Sequence, residues 1–242
     1  MLVNIDAKGL EWRSIVELAK DQVALQEILN GEDTHRKNQE YFKFPAGDVG
    51  RLVAKVFLFR AIYRGPGFAY AHDPLFSSVS SSVKFWDNII EKLYEKYFAI
   101  DQLHQQWAKL VASGQPIVGP SGRQWYVPVD YSSGKLPWTK FTNYPNQGTG
   151  ADVMQLARIS FFNRLLKQEY AKEVKMASTV HDSIVADAPS SLALPLCRLA
   201  HEVFKDLPAN IKKCWRYNWE TPLDCEVVVG RDMKNMTLLL PS

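Results

Sequence analysis

Apolar and polar residues alternate through Leu2-Val3-Asn4-Ile5-Asp6, which predicts a β-strand that ends on an acid and that the chain enters in its middle. Helices are expected over residues 11–19 and 22–30, the second closed by Asn30-Gly31. A longer helix is expected from Gly47 to Tyr63, stopped by Arg64-Gly65-Pro66-Gly67. Residues 68–82 read as loop, followed by helices over 83–98 and 101–113. Residues 115–130, with Gln124-Trp125-Tyr126-Val127, suit a small hairpin. A helix is expected after Asn146-Gln147-Gly148, running to about residue 170, and two β-like runs over 174–187 flank His181-Asp182. A helix over 190–206 and a strand at 225–230 close the pattern. The class is α+β: a small antiparallel sheet with a large helical insertion.

Composition narrows this only modestly. The 242 residues suffice for one large domain or two small ones. A hydrophobic content of 46% with 23% charged residues is that of a globular chain, and the net charge of +3 permits a nucleic-acid partner without requiring one. Three cysteines without CxxC spacing, Cys197, Cys214 and Cys225, argue for reduced thiols and a cytoplasmic location, with no disulfide framework and no structural zinc. No apolar run is long enough to span a membrane, so no membrane partner is expected, and the start lacks the features of a secretory signal.

Candidate chemistry sits in four places. Asp6 ends one strand and Asp182 lies in the turn between two others. Two carboxylates brought to strand ends in this way are what a pair of Mg²⁺ ions needs for phosphoryl transfer. Between them, Arg51, Lys55, Phe59 and Tyr63 recur every four residues, so they drift by only about 40° per step around a helix. That face grades from cations, suited to a triphosphate, to rings, suited to a sugar and base. The bland alternative is an amphipathic helix with core aromatics and solvated cations. Asn143 and Gln147 are two amides four apart that could reach minor-groove acceptors, although such residues are also ordinary loop and cap chemistry. Asp6 followed by Glu11 could likewise be helix-capping chemistry, and His181-Asp182 an ordinary turn.

Taken in order, these segments resemble the C-terminal polymerase portion of family A DNA polymerases, the polymerase I type. Asp6 to Glu11 with Asn30-Gly31-Glu32-Asp33-Thr34-His35 resembles motif A and its downstream segment. Arg51-x-x-x-Lys55-x-x-x-Phe59-x-x-x-Tyr63 resembles motif B, the fingers O-helix, and Val180-His181-Asp182 resembles motif C. Gly122 to Pro128, Asn143 to Asp152 and Pro222 to Val227 resemble further family segments, so the likeness runs the length of the chain. The resemblance implies palm at 1–35, fingers at 36–140 with the O-helix at 47–64, and palm again at 141–242.

It also implies roles. Asp6, Asp182 and the backbone carbonyl of Ala7 would hold two Mg²⁺ ions for template-directed transfer of a dNMP to a primer 3′-OH. Arg51, Lys55 and His35 would contact the triphosphate of the incoming dNTP, with Lys55 placed to protonate the pyrophosphate. Phe59 would pack on the sugar, Tyr63 would stack by the nascent pair, and Glu11 would exclude a 2′-OH. Asn143 and Gln147 would touch the minor groove of the template-primer DNA, and His181 would lie beside the primer terminus.

The sequence departs from the family pattern at Ser183, where motif C carries Glu, at Gly9, where motif A carries a polar residue, at Arg64, where Gly follows the O-helix Tyr, and at Thr139, where a basic residue is usual. Thumb and exonuclease sequence and the first palm strands are absent from these residues. A separate N-terminal polymerase fragment, of a split phage-type enzyme working in the host cytoplasm, is therefore expected as a partner. Two other readings stand beside this one: a catalytically weak, polymerase-like module that grips DNA or a replication partner, and a single-subunit RNA polymerase, which Glu11 and Phe59 disfavour.

Overall fold

The computed structural model describes residues 1–129, 132 and 134–241. The end of the expected hairpin segment, residue 130, lies outside them. The described chain forms two compact units.

The first unit comprises Met1–Ser14, Pro120–Gly122 and Gln147–Ser242. Its centre is an antiparallel five-stranded sheet. Strands β1 (Leu2–Ala7), β4 (Lys175–Val180), β5 (Ser183–Asp187), β6 (Cys225–Gly230) and β7 (Met236–Leu239) lie in the order β4-β5-β1-β6-β7. The alternation of β1 sends Val3, Ile5 and Ala7 into the core and leaves Leu2, Asn4 and Asp6 on the opposite face. The core side is covered by helix α10 (Ala193–Trp215), whose Leu196, Ala200, Val203, Phe204 and Leu207 pack with Val3, Ile5, Ile184 and Val227. The expected helix over 190–206 continues to Trp215, because buried Leu207 and Ile211 carry the helical period past Pro208. Strand β7 was not expected. It pairs with β6 along one sheet edge, with Leu238 exposed.

The second unit comprises Ile15–Gly119 and Arg123–Asn146. It is mostly helical, with α2 (Gln22–Leu29), α3 (Thr34–Tyr41), α4 (Gly47–Ala61), α7 (Val83–Lys96) and α8 (Phe98–Ala112). A two-stranded ribbon, β2 (Ile117–Val118) with β3 (Gln124–Trp125), is the expected small hairpin, with shorter pairing. Asp21, Asp33 and Ser82 cap α2, α3 and α7 through their side-chain oxygens. The core is aromatic: Phe42, Phe44, Phe57, Tyr70, Phe76 and Trp86 meet at ring-centroid separations of 5.1–6.0 Å.

That core corrects the loop expected over 68–82. The stretch holds two short helices, α5 (Gly67–Ala71) and α6 (Pro74–Ser77), because Tyr70 and Phe76 are both fully buried. Asp73 caps α6 and pairs with Arg60 at 2.7 Å. Such elements are too short to show a hydrophobic period.

Helices α1 (Leu10–Ala19) and α9 (Trp138–Leu165) run through both units. Helix α9 begins at Trp138, well before the start expected after Asn146-Gln147-Gly148, and ends at Leu165 rather than near 170. Its early start is hidden in the sequence by Pro145, which has no N–H to give to the preceding turn. The turn before that proline is nevertheless secured. Phe141 is fully buried, and the Thr142 hydroxyl donates to the Trp138 carbonyl at 2.9 Å.

Candidate active site

In the first unit Asp6, Asp182 and Glu226 come to one end of the sheet. Asp6, the last residue but one of β1, has Ser183 of β5 opposite on one side and Glu226 of β6 opposite on the other. The Ala7 amide donates to the Asp182 carbonyl at 2.9 Å, which ties the β4–β5 turn to the end of β1. The turn is only His181-Asp182, with Val180 paired to Ser183. His181 takes the left-handed conformation, φ +52°, that such tight hairpins require, and its side chain is exposed. Burial, the Asp182 charge and then the Glu226 charge push the Asp6 carboxyl up to about 6. Glu226 was not singled out in the sequence. The signal was its parity: it is the acid of the 225–230 alternation that shares a face with Asp6.

The donor set is therefore oxygen only: two carboxylates at a strand end and turn, a third in register across β6, and main-chain carbonyls beside them. That is the chemistry of hard divalent cations, and it fits Mg²⁺. Asp6, Asp182 and the Ala7 carbonyl would hold it, and the mutual repulsion of the acids is what a cation relieves.

Also in the first unit, Glu11 opens α1 and accepts from Gln147 Nε2 at 3.3 Å. Gln147 is exposed in mid-α9, and half-buried Asn143 stands one turn before it on the same helix.

In the second unit, α4 presents Arg51, Lys55 and Phe59 of the series, and ends at Ala61, two residues before Tyr63. The buried face of α4 is Val53, Ala54, Phe57, Leu58 and Ala61, which is not the face of the series. Arg51 is half-buried, Lys55 exposed, Phe59 half-buried and Tyr63 buried at the C-terminal end. The core aromatic of this helix is thus Phe57, and Phe59 shares the cationic side. The N-terminal end of α4 is held close by Gly50, where an added Cβ would lie 1.7 Å from the Pro45 carbonyl oxygen.

Asp33 joins this face. Its Oδ1 accepts from the His35 and Arg36 amides at 3.0 and 3.2 Å, and its Oδ2 accepts from Arg51 Nε at 2.7 Å. The ring of His35 lies 5.9 Å from that of Phe59. Burial, with the Arg51 and Lys55 charges adding to it and Asp33 opposing, lowers His35 to about 4, so it is neutral at physiological pH. The buried Nδ1 of His35 makes no hydrogen bond among the described residues. Tyr63 accepts at its hydroxyl from Asn146 Nδ2 at 3.0 Å. Asn146 was passed over in the sequence in favour of its neighbours, and its full burial was the missing information.

Comparisons with known proteins bear on the family and the fold. A thermostable DNA polymerase I from Thermus aquaticus is 27% identical over 96% of this chain. A DNA polymerase of Bacillus phage SP01 is 21% identical over 96%. The chain spans about a quarter of the length of these curated relatives, 27% and 26%. The solved POL domain of Pol1 from M. smegmatis, in complex with DNA primer-template and dNTP, matches 95% of this chain and 39% of its own with a TM-score of 0.76 at 18% identity, a likeness of fold. The profile of DNA polymerase family A covers residues 1–235, and the chain belongs to that family.

Proposed function

We propose that this chain carries the catalytic centre of a DNA-directed DNA polymerase that transfers a dNMP to a primer 3′-OH under template direction. The observation that supports the reading is the placing of Asp6, Asp182 and Glu226 at one end of the sheet, where burial first, then the Asp182 and Glu226 charges, raise Asp6. Two Mg²⁺ ions, when bound, supply activation of the primer hydroxyl and neutralisation of the triphosphate charge. Asp6, Asp182 and the Ala7 carbonyl would hold them. Arg51 and Lys55 bind the triphosphate oxygens, and Lys55 gives its proton to the leaving pyrophosphate. Neutral His35 donates a hydrogen bond to the same group. Phe59 packs on the sugar and Tyr63 stacks by the new pair. Glu11, held by Gln147, excludes a 2′-OH and so selects deoxyribose. Asn143 and Gln147 monitor minor-groove acceptors that every correct pair presents. His181 lies beside the primer terminus.

The reading includes a partner chain that supplies further polymerase sequence. Ile159, Phe162 and Leu166 of α9 and the segment after it support this: they recur at helical spacing and are 52%, 47% and 59% exposed. Primer extension by the purified chain, with and without such a partner, tests it. Robust processive synthesis by the chain alone would remove the partner from the reading.

A second reading, a DNA-gripping module with weak catalysis, is favoured by one residue: Ser183 in place of the motif C Glu. An Asp182→Ala variant separates the two. Loss of incorporation with retained DNA binding supports the polymerase. No incorporation by the unaltered chain with its partner, at any metal concentration, supports the module.

A further inference from the structure

A second group of metal-ligating side chains lies in the first unit. His201 is on α10, and Asp224 and Cys225 stand at the start of β6. One donor atom from each, an imidazole nitrogen, a carboxylate oxygen and a thiol sulfur, lie within 4.8 Å of one another. A tetrahedron built from ordinary zinc bond lengths has edges of about 3.3–3.8 Å, so closure asks for movements of about 1 Å. The two elements that carry the donors are packed in one core, in which Cys225, Val227 and Leu223 meet Ala200, Val203 and Phe204. Donors on such a base keep their mutual placement better than donors on loops.

We propose that His201, Asp224 and Cys225 form a binding site for a thiophilic divalent cation of the zinc type. The donor chemistry separates it from the oxygen-only set at Asp6: nitrogen and thiolate select zinc-like ions, whereas carboxylates and carbonyls suit magnesium. Asp224 is already oriented. Its Oδ1 accepts from the Cys225 amide at 2.9 Å and lies 3.1 Å from His201 Nδ1, and its backbone carbonyl accepts from the Lys8 amide at 2.9 Å. Cys225 is 2% exposed, while the side chains of His201 and Asp224 are 26% and 44% exposed. The thiol thus forms the floor and the other two donors form an open rim, which leaves the fourth position to water. Three protein ligands with an open position describe an exchangeable site rather than a sealed structural one. Cys197, one turn before His201, is not counted, because its thiol is engaged by the Leu239 carbonyl at 3.6 Å.

Binding is coordination without redox change. The Cys225 thiol releases its proton to solvent, its sulfur bonds the cation, and the His201–Asp224 hydrogen bond gives way to two metal bonds. Because Cys225 pairs with Ala7 across β1 and β6, a bound cation would also stiffen the strand that carries Asp6.

Titration of the whole chain with Co²⁺, a spectroscopic probe for zinc-type sites, tests this independently of polymerase activity. One equivalent should bind with a thiolate-to-cobalt charge-transfer absorption. That band should persist in Cys214→Ser and in the Asp6→Asn/Asp182→Asn double variant, and vanish in Cys225→Ser. Should Cys225→Ser fail to fold, His201→Ala and Asp224→Asn decide the matter: a drop in Co²⁺ affinity of roughly tenfold or more supports the site, and unchanged affinity overturns it. The proposal is equally overturned by absence of a thiolate band, by a band that follows Cys214, or by one lost with the Asp6/Asp182 pair.

Discussion

Replacing Asp6 with Asn should make the cation-free protein more stable at about pH 8 while ending its proposed chemistry. The folded state raises this carboxyl from 3.8 to about 6, first by burial and then by Asp182 and Glu226. A shift of about two units corresponds to about 3 kcal/mol, and partial exposure of the side chain with solvent screening reduces this to about 1–2 kcal/mol. The sign follows from linkage. A group raised on folding contributes stability that is full below its unfolded value, 3.8, and is lost as the pH rises through about 6. Above that range, the unaltered chain carries the whole penalty of a charged Asp6, and the Asn variant carries none. For a chain of this length, about 1–2 kcal/mol is a rise in Tm of about 3–6 °C. Chelator-treated protein melted across about pH 4 to 8 should show a gap that opens as the pH rises. Millimolar Mg²⁺ should narrow it at the alkaline end, since the cation stabilises only the chain with the intact acid. A gap that is constant with pH, or an Asn variant less stable than the parent at about pH 8, would refute the account.

Three further outcomes are expected. Glu226→Gln should lower the Asp6 pKa by less than Asp182→Asn does, because its charge is the smaller cause, and an NMR titration of the Asp6 carboxyl measures both. Arg64→Ala should cost about 2–4 kcal/mol in urea unfolding, since the guanidinium lies 3.8 Å over the Tyr94 ring, pairs with Asp101, and donates to His104 Nδ1 at 3.3 Å. Arg64→Gly should cost less than Arg64→Ala, because the backbone there has φ +58°. Phe59→Tyr should raise dideoxynucleotide incorporation relative to deoxynucleotide in a primer-extension competition; an unchanged ratio would undo the assignment of this ring to the sugar.

Strands β1 and β6 were legible because one face is buried and the alternation is written in adjacent residues, and β5 because its apolar run is buried on both faces. The helices with an intact period were legible for the same reason. What failed was non-local. Pro145 disguised the first two turns of α9, whose support comes from buried Phe141 and the Thr142 bond to Trp138. Strand β7 is apolar at three of its four residues but shows no alternation of buried and exposed positions, since it pairs at an edge and leaves Leu238 exposed. At the site, Asp6, Asp182 and the Arg51–Tyr63 series were legible as an ordered set of motifs. Glu226 became visible only with the β1–β6 register, Asp33 as the partner of Arg51 only with α3 and α4 folded, and Asn146 only once Tyr63 was placed against it.

The register also bears on Ser183. In the folded chain Ser183 is 6% exposed, and its hydroxyl donates to the Val180 carbonyl at 2.9 Å, closing the two-residue turn that presents Asp182. A glutamate at this buried position would bring a further desolvated charge beside Asp6, which burial and then the existing acids already hold at about 6. Across β1 from Ser183, the opposite flank of Asp6 is occupied by Glu226. The strand end therefore carries three carboxylates with Ser183 in place, one of them supplied by β6. Glu226 is itself exposed and is the smallest of the three causes that raise Asp6, so it adds its charge to the field at this strand end without adding burial. On this ground the polymerase reading outweighs that of the weak module, and Glu226→Gln sets the two apart. Incorporation that needs more Mg²⁺ in this variant follows from the former, whereas an unchanged Mg²⁺ requirement leaves Ser183 an uncompensated loss.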